Sequence, residues 1–322
     1  MNMVNVSMTA IKETILLVGH GSRNTNGNIE IEKFANEWRS RNPKWNIEVC
    51  FIEFAEIMLD KGFDIAAKNA NRVIVVPLIL NAAAHVKMEI PAHMAEARKR
   101  HPDVEYIYAP HLGATDEILT ILKRNLRKTL NTLDMPDPKT TGVILLGRGS
   151  SDRVANGEVA KMARWLHEET DHELVDIAFT GITYPRLEEA VQRQHKLGMT
   201  QIAVLPYYLF TGTLIERISR QLVRLQIQYP QVSFGLSNYF GFENEIFSLL
   251  DQRVHHARGD DEQTQLMMEC DGCKYRLLAE EAGHGHHHHD DGGHNHDHHT
   301  HDHHTHDHGH DHEHDHSHTH AE

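Results

Sequence analysis

The chain is poor in cysteine and in long apolar runs. It has three Cys in 322 residues, namely Cys50, Cys270 and Cys273, which is too few for a disulfide framework and typical of a protein in a reducing cytosol. No apolar run approaches the ~20 residues that a membrane-spanning helix needs, and the N-terminus lacks the apolar core of a signal peptide. We therefore predict a cytoplasmic protein that makes no membrane contact.

Basic residues are also few, and they are unevenly distributed. The formal net charge is −14, and residues 284–322 carry nine acidic and no basic residues, which leaves −5 on the rest of the chain. Because duplex nucleic-acid binders need a basic face, this balance argues against a nucleic-acid partner. The same segment holds 20 of the 30 His and almost no apolar residue, so we expect a disordered tail without a core.

An internal repeat determines the predicted architecture. Residues 14–22 (TILLVGHGS) match residues 142–150 (GVILLGRGS) at an offset of 128, and residues 73–77 match residues 202–206 at an offset of 129. At ~150 residues per domain, the chain before the His-rich tail has room for two domains. We predict two copies of one domain over residues 1–133 and 141–258, a Cys-bearing segment over residues 259–283 and a tail over residues 284–322.

Each copy alternates short β-rich runs with helical spacing of apolar residues. Strands are predicted near residues 14–18, 47–53, 73–79 and 104–108, and near 142–146, 174–181, 202–206 and 232–236. Helical spacing is seen at Ile31, Phe34, Ala35 and Trp38, and at Ile118, Ile121, Leu122 and Leu126. This alternation predicts an α/β fold with two similar domains, each a small parallel sheet flanked by helices. Ligands of such sheets bind beyond the carboxyl ends of the strands, so we expect the active-site cleft between the two domains.

Three polar residues at predicted strand ends occur in the first copy alone. The equivalent pairs are His20 and Arg148, Glu53 and Gly181, and His85 and Leu214. Two imidazoles and a carboxylate suit a first-row divalent metal and can also accept protons near neutral pH. We therefore predict that His20, His85 and Glu53 form the metal and catalytic site, with Glu89, four residues after His85, as an alternative third ligand. The competing interpretation is two unrelated loop histidines with local hydrogen bonds.

The Gly-rich stretch at residues 19–22 lacks the spacing and the Lys of a phosphate-binding P-loop. Its glycines permit a tight strand-to-helix turn, with backbone N–H groups expected to be free for an anionic ligand. Candidate substrate-binding residues are Gly21, Ser22, Arg23, Lys87, Arg148 and Ser150. For each charged one, the competing interpretation is a solvated surface charge. The absence of a G-x-S-x-G elbow argues against a hydrolase of that kind.

Three motifs resemble the class II tetrapyrrole chelatase family (CbiX-like). They are LLVGHGSR at residues 16–23, FIEFA at 51–55, and VPLIL at 76–80 followed by His85. With MECDGC at residues 268–273 and the His-rich tail, the whole chain is similar to the long-form sirohydrochlorin cobaltochelatases. The resemblance implies insertion of Co²⁺ into sirohydrochlorin, an octacarboxylate, without ATP and with loss of two pyrrole protons, early in anaerobic cobalamin biosynthesis. It also implies that His20, His85 and Glu53 lie at the cleft.

The C-terminal region carries two further metal-related features. The Cys270–Cys273 spacing by itself is compatible with half a zinc site, a redox pair or two incidental thiols, whereas Cys50 lies in a predicted core strand and is expected to be buried. The family resemblance implies an iron–sulfur centre, and two Cys per chain then suggest a [4Fe–4S] cluster that bridges a homodimer. The tract from His284 to His320 suits accessory metal capture, and its competing interpretation is a purification tag.

Two other functions remain open at this stage. A sirohydrochlorin ferrochelatase that makes sirohaem would use the same ligands, because oxygen and nitrogen donors do not discriminate sharply between Fe²⁺, Co²⁺ and Ni²⁺. A metal-storage protein or metallochaperone without catalysis would explain the His-rich tail, but it would not require a cleft between two α/β domains.

Overall fold

The computed structural model describes residues 12–259, which belong to one compact unit of the chain. Cys270, Cys273 and the tract from His284 to His320 lie outside the described residues, so the predictions about them are not addressed by the structure. Within residues 12–259, none of the helices is long and apolar enough to cross a membrane.

The first half is a parallel four-stranded sheet with helices on both faces. Its elements are β1 (Glu13–Gly19), α1 (Thr25–Arg41), β2 (Ile47–Phe51), α2 (Leu59–Ala67), β3 (Arg72–Pro77), a π-helical turn (His85–Glu89), α3 (Ile90–Arg100), β4 (Glu105–Tyr108) and α4 (Asp116–Leu130). The strand order is β2-β1-β3-β4, and every pairing is parallel. All strand carboxyl ends therefore meet at one edge, where the loops after β1, β2 and β3 lie side by side.

The second half repeats this arrangement. Its elements are β5 (Thr141–Gly147), α5 (Arg153–Glu168), β6 (Val175–Phe179), α6 (Leu187–Lys196), β7 (Gln201–Pro206), α7 (Thr213–Gln228), β8 (Ser233–Leu236) and α8 (Asn244–Arg258). The strand order β6-β5-β7-β8 is that of the first half. The predicted α/β architecture is confirmed, and each predicted strand is present with bounds that differ by one or two residues.

The strands are apolar on both faces because helices cover both. Leu16, Leu17 and Val18 of β1 are fully buried, as is Cys50 of β2, whose predicted burial is confirmed. Burial raises the pKa of the Cys50 thiol, so Cys50 is a small core side chain rather than a reactive thiol.

The two halves share one hydrophobic core. Phe34 of α1 stacks on Phe247 of α8 with ring centroids 4.2 Å apart, and Trp38 of α1 donates from Nε1 to Asp251 Oδ1 at 2.8 Å. Each buried aromatic side chain contributes about 1.5–3 kcal/mol relative to exposure. This packing of α1 against α8, together with the contacts of α4 with β7 and of α8 with β3, joins the two halves.

Candidate active site

The turn after the first strand of each half requires glycine. Gly21 and Gly149 both have φ +86°, and a Cβ would overlap the carbonyl oxygen of Glu53 in the first half and of Gly181 in the second. Only glycine avoids both penalties. The close crossing of the two loops brings the residue before each glycine, His20 or Arg148, beside the loop that follows the neighbouring strand.

An asparagine holds each of these turns. The Ser22 N–H donates to Asn28 Oδ1 at 2.8 Å and Asn28 Nδ2 donates to the Ser22 carbonyl at 3.2 Å. Ser150 and Asn156 make the same pair of bonds, at 2.9 and 2.8 Å. The expectation that these N–H groups are free for an anion was therefore wrong, because a side-chain amide already occupies each. The shared offset of 128 between the two asparagines was a sequence signal for this role.

His20, Glu53 and His85 are brought together from three separate loops. The imidazole rings of His20 and His85 lie edge to face, with centroids 4.8 Å apart. Nδ1 of His20 is 3.4 Å from Glu53 Oε1 and 3.1 Å from the carbonyl oxygen of Gly21. The halves meet here too, because Arg148 Nη1 lies 2.9 Å from His20 Nε2.

The contacts of His20 define its protonation. A guanidinium can only donate, so Nε2 of His20 accepts from Arg148 and the ring proton of the neutral imidazole is on Nδ1. Burial lowers the pKa of His20; the Gly21 carbonyl and the Glu53 carboxylate oppose this effect, and the Arg148 and His85 charges reinforce it. His20 is therefore a neutral imidazole at pH 7, which is the form that binds metals or accepts protons.

Glu89 lies against His85. Its Oε2 is 2.5 Å from His85 Nδ1 within the π-helical turn, so the predicted proximity of these two side chains is confirmed. A carboxylate on Nδ1 directs the lone pair of Nε2 away from itself and fixes the tautomer, as carboxylates do for metal-binding histidines. This contact favours an orienting role for Glu89 over direct ligation.

The side chains of this site do not form a preorganised metal-binding site. Among residues 12–259, no three His, Cys, Asp or Glu side chains stand together in a geometry that would hold a metal ion. Nε2 of His20 is in contact with Arg148. Metal binding at His20, His85 and Glu53 therefore requires Arg148 to move, and the ligand assignment stays a prediction.

A cleft of about 690 Å³ opens at this point, within the range of small-molecule sites. Both halves line it, the first with His20, Glu53 and His85 among others and the second with Arg148, Tyr208 and Phe210. Burial raises the pKa of Tyr208 to about 12, and its hydroxyl pairs with Thr180 Oγ1 at 2.7 Å. Tyr208 is therefore a neutral wall residue rather than a base.

Lys87 is not available to a substrate. Its Nζ lies 2.8 Å from Asp152 Oδ2, and both side chains are almost entirely buried, so Lys87 is neither the substrate-facing candidate nor the solvated surface charge that the sequence left open. At the equivalent positions of the repeat, Asn24 Nδ2 donates to Glu216 Oε1 at 3.0 Å. The two contacts join the halves on either side of the cleft, which gives Lys87 a structural role.

Paired parallel sheets, with a histidine-bearing cleft at their carboxyl edges, define a chelatase-like protein. The model of the CbiX family matches residues 14–129 and 142–257, and the chain therefore belongs to the CbiX family.

Comparisons with individual proteins agree with this membership. The chain is 39% identical to a sirohydrochlorin cobaltochelatase of Priestia megaterium, over 82% of this chain and 85% of that protein. It is 30% identical to a sirohydrochlorin ferrochelatase of the same organism, over 75% and 89%. SirB from Bacillus subtilis with Fe³⁺ is similar with a TM-score of 0.66 and 29% identity, over 77% of this chain and 96% of that one. SirB from Bacillus subtilis subspecies spizizenii in complex with cobalt gives 0.65 and 27%, over 78% and 97%.

Proposed function

We propose that this metal chelatase inserts Co²⁺ into sirohydrochlorin and releases two protons, as an early step of anaerobic cobalamin biosynthesis. The observation that carries the proposal is the pair of imidazoles, His20 and His85, with ring centroids 4.8 Å apart in a cleft lined by both halves. In each ring a neighbouring oxygen lies against Nδ1, which leaves Nε2 for the chemistry, in His20 after Arg148 has moved away.

The reaction needs groups that hold a divalent cation and groups that take protons from two pyrrole N–H bonds. Neutral imidazoles do both near pH 7, and the lowered pKa of His20 keeps this ring in the neutral form, which can act once Arg148 has moved away from Nε2. Glu53, 3.4 Å from His20, supplies a negative charge that stabilises a protonated imidazole or the incoming cation. The balance is one Co²⁺ bound and two protons released for each macrocycle.

We propose Co²⁺ rather than Fe²⁺ as the metal because the chain is more similar to a cobaltochelatase than to a ferrochelatase of the same organism. Identity is 39% to the cobaltochelatase of P. megaterium and 30% to its ferrochelatase. SirB structures with Fe³⁺ and with cobalt are both similar to the chain, so a sirohaem-forming ferrochelatase is the second candidate. A storage protein without catalysis is the third, and the built cleft between the halves argues against it.

The remaining predictions concern residues beyond 259. Cys270 and Cys273 are proposed to hold a [4Fe–4S] cluster that bridges a homodimer, and the tract from His284 to His320 is proposed as an accessory metal reservoir. The tract is expected to be dispensable for the reaction itself, because the proposed ligands lie elsewhere. A chain truncated after Leu278 should retain turnover at saturating Co²⁺. The predicted cytoplasmic location likewise stays a prediction.

The decisive experiment is anaerobic incubation of the full chain with sirohydrochlorin and Co²⁺, Fe²⁺ or Ni²⁺ in parallel, following the absorption of the macrocycle. The proposal predicts catalysed insertion of Co²⁺ at least about tenfold faster than the insertion without protein, and faster than insertion of Fe²⁺ under the same conditions. Faster insertion of Fe²⁺ would establish the ferrochelatase instead. Metal binding without any spectral change of the macrocycle would leave the storage function.

A further inference from the structure

Two apolar residues at the rim of the cleft have left-handed backbone conformations. Phe54 has φ 54° and Ile182 has φ 65°, and the two occupy equivalent positions, 128 residues apart. This region is unfavourable for bulky side chains and most of all for a β-branched one. Around Ile182 the Thr183 N–H donates to the Gly181 carbonyl at 2.7 Å, which closes a three-residue turn of a rare type.

The same two residues expose apolar surface. The exposed fraction is 44% for Phe54 and 59% for Ile182, and both side chains line the cleft beside His20 and His85. An exposed apolar side chain and a strained backbone are both unfavourable, and their recurrence at equivalent positions shows that neither is an accident of one loop. The fold directs one apolar side chain from each half towards the same cavity.

A contact between an arginine and an aromatic ring lies at or beside each of these two residues. The guanidinium carbon of Arg23 is 4.8 Å from the ring centroid of Phe54 itself, and that of Arg186 is 4.6 Å from the ring centroid of Tyr184, two residues after Ile182. The rim thus offers apolar contact in both halves, next to the Arg23 guanidinium in the first half.

This combination matches a flat apolar ring with carboxylates at its edge. Resting on the function proposed above, we propose that Phe54 and Ile182 hold the tetrapyrrole macrocycle between the two halves, with Arg23 beside its peripheral carboxylates. The apolar side chains gain free energy by removal from water, and guanidinium groups form strong hydrogen bonds with carboxylates. The two residues are specificity-determining for substrate and take no part in the metal chemistry.

The test measures binding of metal-free sirohydrochlorin to the full chain by fluorescence titration under anaerobic conditions. Phe54→Gly and Ile182→Gly are each expected to raise Kd at least tenfold, while Co²⁺ binding in the absence of the macrocycle stays at the wild-type value. The melting temperature should be unchanged or higher, since glycine accepts these φ values. The conservative variants Phe54→Leu and Ile182→Val should keep most of the wild-type affinity for sirohydrochlorin. Ile227→Ala, at an exposed apolar position of α7 outside the cleft, is the control and should have no effect.

The dependence of binding on salt concentration distinguishes the ionic contacts of the macrocycle from its apolar contacts. Arg23→Gln is expected to weaken binding in a way that disappears as the salt concentration rises, whereas the loss in Phe54→Gly persists. Wild-type affinity in both glycine variants would overturn the inference, and so would a loss accompanied by a lower melting temperature or impaired Co²⁺ binding. Absence of sirohydrochlorin binding by the wild-type chain is a different result, because it removes the proposed function itself.

Discussion

Arg148 and His20 are equivalent residues of the two halves, and they are in direct contact, with Arg148 Nη1 donating to His20 Nε2 at 2.9 Å. A residue can touch its own repeat equivalent only where the two copies meet, at the axis that relates them. The candidate site therefore lies near this axis, where both halves contribute side chains.

Removing Arg148 should improve metal binding by the free protein. The Arg148→Ala variant frees Nε2 of His20 and removes a positive charge from the position of a cation, so we expect Co²⁺ to bind about tenfold more tightly, about 1.4 kcal/mol. Calorimetric titration without the tetrapyrrole measures this directly. Arg153→Ala, at an exposed position of α5, is the control. Equal or weaker binding by Arg148→Ala would mean that Arg148 does not compete with the metal.

Either cleft histidine should be required for turnover. His20→Ala and His85→Ala are each expected to lower kcat by at least about 100-fold, because each removes a ligand or proton acceptor. His93→Ala is the matched control, since His93 pairs with Asp60 on the surface of the same half. All three variants should melt near the wild-type temperature. Turnover at the wild-type rate in either cleft variant would disprove the site assignment.

Glu89 and Glu53 should respond differently to substitution. If Glu89 orients His85 through Nδ1, the Glu89→Gln variant keeps a hydrogen-bond acceptor and its Co²⁺ affinity should change by less than about threefold. The Glu89→Ala variant should lose about 10- to 100-fold in Co²⁺ affinity. Glu53 is proposed to ligate the metal or to neutralise charge. The Glu53→Gln and Glu53→Ala variants should therefore lose similar amounts of Co²⁺ affinity. Equal losses for both Glu89 variants would instead identify Glu89 as the third ligand.

Acid should destabilise the protein through His111. Burial, reinforced by the charges of Arg253 and Lys87, lowers the pKa of His111 from 6.5 to about 4. The unfolded chain therefore binds a proton that the folded one does not, and stability is lost as the pH falls from 6.5 towards 4, by up to about 3 kcal/mol. Denaturant unfolding at pH 7 and pH 4.5 should show a smaller loss for His111→Asn than for the wild type. Identical losses of stability in His111→Asn and the wild type would contradict the assignment of this acid sensitivity to His111.

The two equivalent contacts between the halves should differ in their contribution to stability. Lys87→Met leaves the buried Asp152 carboxylate without its cation, which typically costs about 3–5 kcal/mol. Glu216→Gln, in the more exposed contact with Asn24, should cost less than about 1 kcal/mol. The double variant Lys87→Met with Asp152→Asn should recover part of the loss, because it removes the unpaired charge. Additive losses in a double-mutant cycle would show that the pair is not coupled.

Most of the fold was predictable because the repeat and the apolar periodicity are local signals. Motifs 128 residues apart predicted two similar α/β halves, and comparison of the copies singled out His20, Glu53 and His85. The recurrence of Asn28 as Asn156 could have indicated their shared role at the turn, but the burial of Lys87 was not predictable. That burial depends on which side chains the tertiary structure brings within reach, and nothing in the local pattern distinguishes a buried lysine from a solvated one.

The sequence by itself determined the number of copies, the positions of their strands along the chain and the candidate metal-binding residues, because periodicity and composition act over short stretches of chain. Only the tertiary structure decided how these residues meet. It placed His20 against its own equivalent, gave Nε2 of His20 an arginine partner, and directed Phe54 and Ile182 into one cleft. These relationships arise from the packing of one half against the other, which fixes distances between residues far apart in the chain.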